Sequence, residues 1–92
     1  MTLEEFVELV QERVHRQYPN IEPILPDMGA TLFVWAFARW DARVIRTSSG
    51  AILRRIDMKR QTNAPDIEFV PCAEQVDYIA NRIINWLNFG RL

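Results

Sequence analysis

Apolar residues at Leu3, Phe6, Val7, Val10 and Val14 recur at three- and four-residue intervals. That is one face of a helix, predicted over about residues 2–17. Thr2 precedes the run and Glu5 follows three residues later, the spacing of a capping box. Glu4, Glu5 and Glu8 suit the positive end of the helix dipole, and Arg13 and Arg16 the negative end. Pro19 stops the helix, because a residue before proline avoids helical geometry.

"YPNIEPILPDMGA" carries three prolines and a glycine and reads as a connection, with Ile21, Ile24 and Leu25 expected to pack down onto the core. In "TLFVWAFARW" the period falls to two. Phe33, Trp35 and Phe37 take one side, and Leu32, Val34, Ala36 and Ala38 the other. Both sides are apolar, the signature of a strand covered on both faces. The predicted strand spans 31–39.

Two further strands follow at 42–48 and 51–58, joined at Ser49-Gly50 as a two-residue hairpin loop. That loop pairs Ser48 with Ala51, Arg46 with Leu53 and Val44 with Arg55. Neither face of the hairpin is cleanly apolar. The side with Ile45, Ile52 and Ile56 is the better candidate for the core, with Arg43 and Arg54 reaching past it by their stems. "KRQTNAPD" is a loop, and 67–70 is a candidate fourth strand at an edge. Pro71 opens a second helix at 72–89, where its missing N–H costs nothing. Val76, Ile79, Ala80, Ile83 and Leu87 form its buried stripe, and Gly90 ends it.

The expected architecture is therefore α+β, a two-layer α/β sandwich in the order α-β-β-β-(β)-α. An antiparallel sheet of three or four strands carries both helices on one face. The 92 residues suffice for a single domain, 1–92, with a small core. Two helices on one face leave the other open, yet the first strand offers large apolar groups to both. The proline-rich connection, a second copy or a different partner must cover them. Tyr78 and Phe89 add to this, because they lie opposite the Val76 stripe among Asn81, Asn85 and Asn88. Aromatics ringed by amides are common interface material, although a surface tyrosine and an end-packed phenylalanine are the plainer account.

Charge changes the picture next. The net charge is only -1, so no global field draws the chain to nucleic acid or an acidic membrane. Its distribution is lopsided. Residues 39–60 hold Arg39, Arg43, Arg46, Arg54, Arg55, Lys59 and Arg60 against Asp41 and Asp57, a local +5. Residues 1–30 hold six acids against two arginines. Arginine is suited to planar bidentate contact with carboxylate or phosphate. Three fates for the basic hairpin stay open. It meets an acidic protein surface; it grips nucleic acid, with Trp35 or Trp40 stacking a base; or it is the wet, aggregation-resistant face of a sheet.

Candidate chemistry is sparse. His15 is the only histidine and sits near a helix end, where it caps or meets solvent. Asp57, Asp66, Glu68 and Glu74 follow no metal-binding spacing. Cys72 at a helix start would favour a thiolate, but it lies beside the apolar stripe and far in sequence from the one base. Gly29, Gly50 and Gly90 make no phosphate loop. The chain is expected to be no enzyme and to use no cofactor or metal. A single cysteine, an acidic N-terminal segment and no uncharged run beyond 11 residues point to a cytoplasmic protein without a signal peptide or membrane span.

The expected function is a protein-interaction or assembly module that uses an open sheet face and the arginine hairpin, with a protein partner or self-association favoured. The alternatives are a nucleic-acid-binding module and an adaptor or inhibitor of a larger enzyme or complex. The interface would draw on Trp35, Phe37, Arg39, Trp40, Arg43, Arg46, Arg54, Arg55, Lys59, Arg60, Tyr78 and Phe89.

Overall fold

The computed structural model describes residues 1–21 and 32–89. Helix α1 spans Leu3–Gln17, followed by strands β1 (Leu32–Phe37), β2 (Trp40–Thr47), β3 (Gly50–Asp57), β4 (Thr62–Asn63) and β5 (Ile67–Phe69), and helix α2 (Ala73–Asn88). The class is α+β, with both helices against one antiparallel sheet. The first helix is capped as its sequence implies: the Thr2 hydroxyl oxygen accepts from the Glu5 amide at 3.1 Å. Among the described residues no helix is long and apolar enough to cross a membrane.

The sheet runs β1-β2-β3, and the outer edge of β3 is shared by β4 at one end and β5 at the other. The fourth strand expected at 67–70 is therefore present, and a two-residue strand precedes it.

The core face of the hairpin differs from expectation. Ala42, Val44, Ala51 and Leu53 are buried against the helices, while Ile45, Ile52 and Ile56 are only half-buried on the outer face. The pairing of β1 with β2 explains the choice. Phe33 lies opposite Val44 and Trp35 opposite Ala42, so the two bulkiest groups of β1 share a face with Val44 and Leu53. Small residues at 42 and 51 make room on that face for aromatic rings and helices. Trp35 is fully buried there and donates its indole N–H to Gln11 Oε1 at 2.6 Å. The outer face of β1 holds half-buried Val34 and exposed Ala36.

The hairpin register is also corrected. Thr47 pairs with Gly50, Arg46 with Ala51 and Val44 with Leu53, so the two-residue turn is Ser48-Ser49. The shift is two residues, which keeps the same residues together on each face. Gly50 belongs to the strand because β5 crowds it: a Cβ there would lie 2.6 Å from the Phe69 carbonyl oxygen, and its φ is +153°.

The stripe of α2 is buried as expected at Val76, Ile79, Ala80, Ile83 and Leu87. Ile21 packs against the core. The packing expected of Ile24 and Leu25, and the helix stop expected at Gly90, lie outside the described residues.

Candidate functional site: an aromatic and arginine corner

Most hairpin arginines are already engaged. Arg39 Nη2 meets Asp57 Oδ2 at 3.0 Å, Arg43 Nη2 meets Asp41 Oδ2 at 2.9 Å, and Arg54 Nη2 meets Asp66 Oδ2 at 3.0 Å. Arg46 pairs with Glu4. The local +5 already counts Asp41 and Asp57; Glu4 and Asp66, brought in by the fold from outside the segment, reduce it to +3. On the outer face Arg43 and Arg54 stand opposite each other among Ile45, Ile52 and Ile56, each paired with its own acid.

The unmatched cations gather elsewhere. Trp40 opens β2, Asp57 closes β3, and Trp86 and Phe89 lie at the end of α2. These elements meet at one end of the molecule. Trp40 and Trp86 pack edge to face at 5.2 Å, and Phe89 lies 5.4 Å from Trp40 and 5.5 Å from Trp86. Such ring geometry is favourable beyond the area it buries. The Arg39 guanidinium sits 4.5 Å from the Trp40 ring centre, and that of Arg55 sits 5.9 Å from Trp86. The Trp86 indole N–H donates to the Ile56 carbonyl at 3.2 Å and fixes that ring. An open depression of about 280 Å³ lies between Trp40, Trp86, Phe89, Arg60 and the β4 strand.

Asp57 builds the floor of this corner. It is buried, takes Arg39 on one oxygen, and accepts from the Lys59 and Arg60 amides on the other at 3.1 and 3.3 Å. That shapes the turn after β3 and places the exposed Lys59 and Arg60 side chains at the rim. Arg55 is different in kind. It donates to the Pro65 carbonyl at 2.8 Å, its Nε, like that of Arg39, is buried without a partner, and its pKa is lowered, first by burial and then by the Arg82 charge. Arg82 lies over Tyr78 at 5.2 Å, which extends the corner along α2. Arg39, Arg55, Lys59, Arg60 and Arg82 stand against Asp57, a formal excess of +4 among the described residues once Asp66, which also acts on Arg55, is assigned to its partner Arg54.

Of the twelve residues expected at an interface, the structure brings Arg39, Trp40, Arg55, Lys59, Arg60, Tyr78 and Phe89 to this corner or its margin. Trp35 is in the core and presents no surface. Phe37 is half-buried against Tyr18 at 5.5 Å. Arg43 and Arg54 belong to the outer face, and Arg46 to the opposite end of β2. Trp86 and Arg82 were missed by the sequence reasoning. The signal was present, because both fall on the helical wheel between the Val76 stripe and the Tyr78–Phe89 side.

Among the described residues no group of three or more histidines, cysteines or carboxylates is placed to hold a metal ion. Neither a family model, nor a curated protein, nor a solved structure matches this chain.

Proposed function

We propose that the protein is a small non-enzymatic module that binds another protein through the Trp40–Trp86–Phe89 corner. The observation that carries this is three interlocked rings, one 49% exposed, with guanidinium groups over two of them beside a shallow depression. Tryptophan, tyrosine and arginine supply most of the energetic anchors of protein interfaces, and rings already locked together lose little entropy on docking. A role as adaptor or inhibitor of a larger complex fits the same surface. The free, half-buried thiol of Cys72 is compatible with a reducing compartment.

Nucleic acid is the weaker reading. A phosphate track needs a row of unengaged cations, and Arg43, Arg46 and Arg54 already hold carboxylates. Trp35 is buried, and Arg39 occupies one face of Trp40.

Photo-crosslinking with a benzophenone amino acid at position 89, in the native host, tests the proposal. A protein adduct that disappears when Trp86 is replaced by alanine is the expected result. An RNA or DNA adduct, or crosslinking no stronger than from exposed Glu12, would sink it.

A further inference from the structure

Resting on that reading, we infer that the corner's occupant is a second copy of the chain, docked head to tail. The motive is a matching surface at the far end of the same molecule. The strand β2 runs from Trp40 at the corner to Thr47, about 23 Å away at about 3.3 Å per residue, in a molecule 34 Å long. At that far end Glu4 holds Arg46, and the Phe6 ring lies 5.1 Å from that of Phe69. The first two turns of α1, the strand β5 and the first turn of α2 therefore lie towards that end. They carry Glu5, Glu8, Glu68 and Glu74, none of which forms an ion pair among the described residues. Four unmatched carboxylates at one end face a formal +4 at the other.

Shape adds to charge. The acidic end has an open depression of about 260 Å³ beside Ile52, Glu68, Phe69 and Val70, and Val70 is 62% exposed. The corner offers an exposed ring, Phe89, in a depression that Arg39 and Arg60 also line, with Lys59 next to Arg60 on the turn after β3. A ring entering this dip, lined by Thr47 and Ser49 as well as Ala51, Ile52, Phe69 and Val70, with cations meeting Glu68 and Glu74 at its rim, joins shape to charge. The contact is heterologous, since the two patches differ. Each bound copy leaves one corner and one acidic end free, so the assembly extends instead of closing. Its exposed ion pairs are screened by salt, and they act over the longest range at about 10 mM, where the Debye length is about 30 Å.

Sedimentation velocity over a concentration series is the test. At low salt the average mass should climb steadily with concentration and fall back toward the monomer as salt is added. Lys59→Glu/Arg60→Glu makes the corner neutral, and Glu68→Lys/Glu74→Lys does the same for the acidic end. All four side chains are exposed, and matched thermal melts check that both variants fold. Each variant alone should stay monomeric. Mixed, they should form a 1:1 complex and stop, because only one charged corner and one acidic end survive between them. A monomer at every concentration overturns the inference, as does self-association that ignores both variants. The binding reading fails separately. A monomer whose position 89 still crosslinks to a different protein keeps the corner as a docking site and rejects the second copy. A monomer with no protein adduct rejects both.

Discussion

Arg55 shows at the scale of one residue how a site and a fold compete. The other four arginines of β2, β3 and the β1–β2 turn each hold a carboxylate. Arg55 has a carbonyl and a like-charged neighbour in place of a carboxylate partner. The lowered pKa of a base means that folding works against its charged form at every neutral pH. By contrast, the pKa of Arg54 is raised by its hydrogen bond and charge pairing with Asp66, an exposed contact that solvent screens. Groups held in disfavoured states concentrate where a protein meets its partners. Arg55→Met keeps the stem against Trp86 and removes the charge. The melting temperature of this variant should stay level or rise, while crosslinking from position 89 falls. A clear drop in melting temperature would mean that the bond to Pro65 outweighs the burial cost, and that Arg55 serves the fold.

Elements were legible where local rules decide them. Thr2 and Glu5 mark the start of α1, the 3.6-residue stripes give both helices, and alternation gives the strands. Faces and register were less legible, because they depend on what lies across the sheet. Ile45, Ile52 and Ile56 look like a core row in isolation, and only the pairing of Phe33 with Val44 turns the hairpin over. Likewise Ser-Gly reads as a turn until β5 is present. Its carbonyl at Phe69 claims position 50 and moves the turn back to Ser48-Ser49. Gly50→Ala tests that account. A Cβ 2.6 Å from a backbone oxygen, at a φ that L-residues avoid, forces β5 away from β3. We expect a loss of about 1–3 kcal/mol in urea unfolding. Amides of β5 should exchange faster with solvent than those of β1. A loss under about 0.5 kcal/mol would place glycine there for the turn alone.

At the scale of the molecule, the described residues make the helix-facing side of the sheet dry and leave the opposite side half-buried. Helices α1 and α2 seal Trp35, Val44 and Leu53, all fully buried. Opposite them Val34, Ile45, Ile52 and Ile56 are half-buried between the Arg43–Asp41 and Arg54–Asp66 pairs. Sequence alone suggested a shortage of cover. The arginines answer part of it, since half-buried Arg43 and Arg54 share that face with the isoleucines, Arg43 paired to buried Asp41 and Arg54 to exposed Asp66. Segregated charge was equally visible along the chain, but its partners were not. Arg46 finds Glu4 and Arg13 finds Asp77 only because folding brings distant segments together, which is why a basic hairpin became a basic corner. Two adjacent residues of β3 measure the difference between the layers. Leu53→Ala removes a fully buried side chain and should cost about 2–5 kcal/mol. Ile52→Ala removes one from the outer face and should cost well under half as much by the same urea titration. If the two losses are equal and independent of protein concentration, the outer face is as dry as the core in the folded monomer. If the Ile52 loss grows with concentration, a second molecule is supplying the cover, as the docking of its Phe89 into the depression beside Ile52 requires.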